Sequence, residues 1–298
     1  MKFNSLFLIV LALVTYSKTT EAQIRMGVFA DCQYCDCETG GSRFYRNSLE
    51  KLATSIDYFN RQKELEFVVN LGDLIDRDFT SFQKVKPILA QLEKPVYHLP
   101  GNHDWEVEPE HITKVPEKLG LSEMYYSFSK NNWLFIFLDG TDISGFSPDK
   151  KKREKAKKIA SRLEKEGKPN YHPWNAAIGA KQLGWFKNQL KNAEKQNQKA
   201  AVFCHYPLLP LESHALWNYN EVLAVMKKFN VVKLWMNGHN HAGNYDFQNN
   251  IHFVTLKGMV ETETENAFAE VLFTDEIIEI KGFGQEQSRI LDIRIIDN

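Results

Sequence analysis

Charge of one sign, a second long apolar run and an internal repeat are all missing from this chain. Its 37 lysines and arginines are balanced by 38 acidic residues, a formal charge of −1 over 298 residues. That balance leaves no footprint for nucleic acid, so none is expected as a partner. No segment after the first two dozen residues reaches the roughly 20 apolar residues that a membrane-crossing helix needs. Cysteine is scarce, four in all. Three cluster as Cys32, Cys35 and Cys37, and Cys204 stands far from them. Cys32 and Cys204 adjoin polar motifs at the ends of apolar runs, which suits small buried residues. A Cys35–Cys37 bridge would close a very small loop. Free thiols are therefore the favoured expectation, with a disulfide or a metal site as alternatives.

The apolar run that is present lies at the start. Lys2 precedes the unbroken Leu6–Val14 stretch, and Thr20-Glu21-Ala22 is a plausible small-residue cleavage site before Gln23. Residues 1–22 read as a signal peptide, with an uncleaved anchor as the alternative. Residues 23–298 would then form one exported domain, periplasmic or secreted, with a formal charge of −2 and no stable membrane association.

Five polar motifs each follow a short apolar run. They are Asp31-Cys32-Gln33, Gly72-Asp73-Leu74-Ile75-Asp76, Gly101-Asn102-His103-Asp104, His205 and Gly238-His239-Asn240-His241. The runs before them, Ile24–Ala30, Phe67–Leu71, Val96–Leu99, Ala201–Cys204 and Val231–Met236, suit buried strands. Helical spacing over Arg43–Asn60 and near Phe82–Leu92 separates the first three runs, giving β-α-β-α-β and a parallel sheet. Tyr125–Lys130 and Trp133–Asp139 suit a hairpin turning at Asn131-Asn132. Helices over Ala180–Ala193 and Trp217–Phe229 flank the His205 strand, and strands alone follow Gly243. The fold expected is α/β, a four-layer αββα sandwich with each half of the chain supplying one sheet. Residues 149–168 carry ten basic and four acidic residues. They read as a solvated helix, or as a cationic rim for a phosphorylated substrate.

Ligands at the ends of successive strands converge on one edge of such a sheet. Carboxylates, amides and imidazoles suit first-row divalent ions, and one bridging Asp can hold two of them about 3.5–4 Å apart. Such a pair activates water and neutralises charge in a displacement at phosphorus.

In this series the chain resembles the calcineurin-like metallophosphoesterases over nearly its whole length after residue 22. The resemblance implies one metal held by Asp31, Gln33, Asp73 and His241, and a second by Asp73, Asn102, His205 and His239, with Asp73 bridging. It makes His103 the group that assists the leaving oxygen and Asp104 the residue that orients its ring. Gln33 replaces the usual His of the first motif. An amide oxygen is harder than imidazole, so two divalent ions, Mn²⁺ with Mg²⁺ as alternative, are expected. The second motif lacks the Tyr that purple acid phosphatases give to Fe³⁺, which disfavours a ferric phosphomonoesterase.

Further segments resemble the manganese-dependent ADP-ribose/CDP-alcohol diphosphatases. They are Asp31-Cys-Gln-Tyr34, Arg43-Phe-Tyr-Arg-Asn-Ser-Leu49, Gln182-Leu-Gly-Trp185, Leu216-Trp-Asn-Tyr219 and Leu256-Lys-Gly-Met-Val-Glu-Thr262. The implied reaction is hydrolysis of a nucleoside-diphosphate-linked small molecule. A cyclic-nucleotide or general phosphodiesterase is the alternative, and a catalytically silent binding protein the remote one. The loop between Tyr34 and Arg43 is shorter than in animal members, which leaves substrate preference open. Arg43 and Arg46 stand where they would reach a phosphate, against a surface ion pair. Trp217 and Tyr219 would stack a base, against ordinary core packing.

Overall fold

The computed structural model describes residues 23–294; the expected signal peptide lies outside them. Alternation within the first strand, β1 (Ile24–Phe29), explains why the molecule is layered. Ile24, Met26 and Val28 point to one face and join an apolar layer with Phe135, Phe203, Met236 and Val271. Phe29 points to the other face and meets Leu52, Ile56 and Phe59 of helix α1 (Ser48–Arg61). The helix lies so close that a Cβ on Gly27 would come within 2.6 Å of the Phe59 ring.

The remaining strands are β2 (Phe67–Asn70), β3 (Val96–His98), β4 (Tyr126–Lys130), β5 (Trp133–Phe137), β6 (Lys199–Phe203) and β7 (Val232–Asn237). After them come β8 (Ala242–Gln248), β9 (Ile251–Lys257), β10 (Ala267–Phe273), β11 (Ile277–Gly284) and β12 (Arg289–Asp292). One sheet has the order β12-β11-β10-β1-β2-β3, and the other β4-β5-β6-β7-β9-β8. β1, β2 and β3 are parallel, as are β5, β6, β7 and β9. The hairpin of β4 and β5 turns at Asn131, whose left-handed backbone (φ 50°) suits that residue type.

The helices α2 (Phe82–Leu89), α3 (Val115–Lys118), α4 (Lys150–Lys165), α5 (Ala180–Lys195) and α6 (Tyr219–Met226) complete the set. α1 and α2 cover the outer face of the first sheet, α5 and α6 that of the second. Helix, sheet, sheet, helix is the expected four-layer order. Its division between the halves of the chain is not the expected one. β8 and β9 extend the second sheet, but β10 to β12 return to the first, where β10 pairs antiparallel with β1. That return completes the first sheet beside the strand that carries Asp31.

The basic segment forms α4, which docks through Ala156 and Leu163. Cys32 and Cys204 are buried free thiols that burial pushes up to about 12, so they act as small apolar residues. Cys35 and Cys37 correct the expectation of free thiols: they form a disulfide, with Cα atoms 5.2 Å apart. The chain bends through exposed Asp36, whose carboxylate is held by Arg46 at 2.5 Å.

Candidate metal centre

β1, β2, β6 and β7 end on one edge of the two sheets, and the polar motifs begin there. The chain turns sharply at each. Asp31, Gln33, Asp73 and His239 all take left-handed backbone conformations, with φ of 54°, 45°, 54° and 70°. This conformation costs non-glycine residues of order 1–3 kcal/mol each, and such strain collects at functional sites. Glycines admit the close approach. A Cβ on Gly101 would lie 2.0 Å from Asp73 Oδ1, and one on Gly238 2.5 Å from Asp31 Oδ2.

Asp73 is fully buried at the centre. The His103 amide donates to its Oδ1 at 2.8 Å, and its Oδ2 lies 3.2 Å from His205 Nε2. The Leu71 carbonyl lies 2.9 Å from His205 Nδ1, so the tautomer it selects turns the Nε2 lone pair toward Asp73. Two electron-rich atoms so close need a proton or a cation between them. Burial alone would lower the His205 pKa, yet the charge of Asp73 raises it to about 9. Burial likewise pushes the Asp73 carboxyl up, and the charges of His205 and His103 outweigh it and hold it far below the carboxylate range. Asp73, His205 and His239 bring one ligand atom each within 4.8 Å of one another. His239 Nε2 faces Asn175 Oδ1 at 3.0 Å, which leaves Nδ1 for the centre.

On the other side of Asp73, His241 Nε2 lies 3.5 Å from Asp31 Oδ1. The Gln33 amide nitrogen sits between Asp73 Oδ2, at 3.1 Å, and His241 Nε2, at 3.0 Å. Among the described residues, Gln33 Oε1 has no hydrogen-bond partner, and neither do Asn102 Oδ1 and His205 Nε2. Turning the Gln33 amide over would bring its oxygen to the point between the two groups. Buried polar atoms without partners are costly. Here they are the donor atoms that two divalent ions would need. The donor set fits.

The cavity beside this cluster, of about 380 Å³, is lined by Gln33, Arg43, Asn102, His103, Glu106, Trp174, His214, His239 and His241. Arg43 is there, as expected, 4.0 Å from Glu261. Arg46 is not: it forms ion pairs with Asp36 and Glu38, and these hold it away on the Cys35–Cys37 loop. Trp217 and Tyr219 are also corrected, since neither lines the cavity. Trp217 is 3% exposed, packs on Ala156 and Leu163 of α4, and donates to the His172 carbonyl at 3.2 Å. Tyr219 opens α6 and packs on the outer core of the second sheet. The aromatic group at the cavity is Trp174, 41% exposed, stacked on His172 at 4.2 Å. No α4 residue lines this cavity, so the cationic-rim reading finds no contact there.

Asp104 is corrected in role. Its carboxylate accepts backbone N–H groups from Asp73, Leu74, Ile75 and Gly101 at 2.9–3.2 Å. It ties the second motif to the third. The carboxylates beside the His103 ring are Asp76 and Glu106, at 3.4 and 3.5 Å from Nδ1. Burial would push His103 down, but Asp73, Asp76 and Glu106 together hold it protonated well above its usual range.

The calcineurin-like phosphoesterase family model matches residues 24–243, a span from β1 into β8 that includes all five motifs. The chain belongs to this family. A manganese-dependent ADP-ribose/CDP-alcohol diphosphatase of Arabidopsis thaliana is 31% identical, over 79% of this chain and 86% of that protein. The enzyme of the same name from Homo sapiens is 27% identical, over 93% of this chain and 95% of its own. A dimetal phosphatase from Danio rerio superposes with a TM-score of 0.81 at 23% identity, covering 91% of this chain and 99% of that one. The metallophosphoesterase fold expected from the motifs is thus the fold observed, and the protein is a metal-dependent hydrolase of phosphate esters or anhydrides.

Proposed function

We propose that this phosphoesterase cleaves the diphosphate of a nucleoside-diphosphate-linked compound, of the ADP-ribose or CDP-alcohol type. The products are a nucleotide and a phosphorylated sugar or alcohol. One observation carries the reading: a single cavity holds an exposed aromatic platform, Trp174, the cation Arg43 and the donor His103 around the carboxylate–imidazole cluster. A general phosphatase, acting on esters that carry no base, has no use for the platform.

Asp31, Gln33, Asp73 and His241 would hold one divalent ion, and Asp73, Asn102, His205 and His239 the other. Two such ions, Mn²⁺ by the names of the relatives, supply Lewis-acid charge at phosphorus and a water of lowered pKa. The chain's own groups do the rest. Trp174 stacks the base and Arg43 pairs with the diphosphate. His103, steadied by Asp76, gives its proton to the bridging oxygen as the P–O bond breaks, while water adds to the attacked phosphorus. The proton released by that water passes to solvent, from which His103 is reprotonated. Location outside the cytoplasm belongs to the same proposal. The Leu6–Val14 run and the Cys35–Cys37 disulfide support it, and a secreted product starting at Gln23 would test it.

A panel of ADP-ribose, CDP-choline, 3′,5′-cyclic AMP and AMP with Mn²⁺ decides the substrate class. Turnover confined to the two diphosphates is expected. Cyclic AMP or AMP as the best substrate would overturn the proposal.

A further inference from the structure

Glu261 lies outside the five motifs, 20 residues after His241, and its Oε1 is 2.7 Å from His241 Nδ1. The same oxygen is 4.0 Å from Arg43 Nε. An ionised carboxylate can only accept, so the proton on this side of the ring belongs to Nδ1. The lone pair is then on Nε2, which faces Asp31 and Gln33. The His241 ring thus has one tautomer and one orientation, both set by Glu261.

The carboxylate is itself held in place. Residues 258–262 form a tight turn that ends in left-handed Thr262 (φ 59°). Lys51 of α1, only 4% exposed, donates to the carbonyls of Met259, Glu261 and Thr262 at 3.0, 2.7 and 2.6 Å. Backbone bonds tie the turn to the first motif: Met259 N to Ala30 O at 3.0 Å, and Val260 N to Asp31 O at 2.9 Å. The Gly258 amide donates to the His241 carbonyl at 3.1 Å, and a Cβ on Gly258 would meet the His241 ring at 2.6 Å. The three carbonyls match the three N–H donors of the ammonium, so its burial is compensated and the turn is held at three points.

We propose that Glu261 is a positioning residue for the ion site of Asp31, Gln33, Asp73 and His241. Its one oxygen also restrains Arg43 at the cavity wall, and Lys51 sets that oxygen's place. This rests on the two-ion reading above, and the test separates the two. Partners of this kind change metal affinity by about 10–100-fold when removed.

The experiment is calorimetric titration of Mn²⁺ into ion-free wild type, Glu261→Gln, Glu261→Ala and Lys51→Met, with the thermal unfolding of each ion-free protein measured alongside. Wild type should bind two equivalents. Glu261→Ala should weaken one site by roughly 10–100-fold and leave the other within about threefold. Glu261→Gln keeps an acceptor oxygen without the charge and should fall between wild type and Ala. Lys51→Met should weaken the same site with Glu261 still present. A merely structural role would lower the melting temperature and weaken both sites alike. Equal loss at both sites, or a folded Glu261→Ala or Glu261→Gln protein with wild-type affinity at both, would overturn the assignment. Fewer than two equivalents in wild type would overturn the two-ion reading, and this inference with it.

Discussion

The imidazole of His103 lies 3.4 Å from Asp76, the last residue of the second motif, whereas the carboxylate of its own neighbour Asp104 is turned to backbone amides. The two acids divide between them what one was expected to do. Asp76 is 1% exposed, and among the described residues neither of its oxygens has a hydrogen-bond partner apart from the His103 and Arg77 ion pairs. Asp104 spends both oxygens on backbone amides.

Their substitutions should therefore part company. Asp76→Asn weakens the group that steadies a proton donor, so it should act as a milder form of His103→Ala. Both should lose activity mainly on substrates with poor leaving groups, by up to about 10²–10⁴-fold for His103→Ala, and little on a nitrophenyl diester. Asp104→Ala leaves four backbone donors without an acceptor and should cost several kcal/mol of stability, at about 1–3 kcal/mol for each unsatisfied group. Steady-state kinetics on both substrate types, with urea denaturation, would check this. Similar losses of stability for all three variants would refute the division of roles.

Gln33→His should shift ion preference from Mn²⁺ toward Co²⁺ or Zn²⁺, since imidazole is the softer donor. Activity after reconstitution with each ion is the readout. Unchanged profiles would mean that Gln33 does not face an ion.

Trp174→Ala should raise KM for ADP-ribose by roughly 5–150-fold, the equivalent of about 1–3 kcal/mol for a stacked base. A nitrophenyl ester without a nucleoside should keep its KM. Trp217→Phe, by contrast, should leave the KM for ADP-ribose nearly unchanged, because Trp217 packs against α4 and does not line the cavity.

Away from the centre, Asp139 offers a pH test. Burial, with Asp142 nearby, raises its carboxyl to about 7 despite hydrogen bonds from Thr141. A carboxyl raised on folding stabilises the protein while protonated. That contribution is complete below pH 3.8 and is lost as pH climbs through about 7. Relative to Asp139→Asn, wild type should lose stability over this window, by at most about 4 kcal/mol at 1.36 kcal/mol per pKa unit. Urea unfolding at pH 5 and pH 8 measures the difference. Parallel pH profiles for the two proteins would contradict the raised pKa.

Most ligands were legible in the sequence because they follow strands buried on both faces, which appear as unbroken apolar runs; β3, before Asn102, is only half-buried. β2 and β7 are buried at every position. The return of β10 to β1 was not legible, since periodicity reports which face is buried but not which sheet a strand joins. β12 is a four-residue edge strand with Ile290 72% exposed, and carries no alternation long enough to notice. Asp76 was visible within its motif but not its target. Its direction follows from the left-handed Arg77 that comes next (φ 67°) and from the path of the third motif. Trp174 was hidden inside the long segment between β5 and α5, where no pattern separates a platform from a loop. Glu261 could be quoted from the Leu256–Thr262 segment, but only the Lys51 contacts show why that turn is rigid.

Turnover against ion occupancy tests the central claim most directly. Mn²⁺ would be titrated into ion-free wild type and Asp73→Asn, with AMP released from ADP-ribose measured at each addition. The account predicts that wild type releases AMP and ribose 5-phosphate only as the second equivalent binds. Folded Asp73→Asn should neither hold both ions nor turn over, because a neutral amide bridges two cations poorly. Full turnover by wild type with a single ion or in the presence of a chelator, or wild-type turnover by Asp73→Asn, would contradict it.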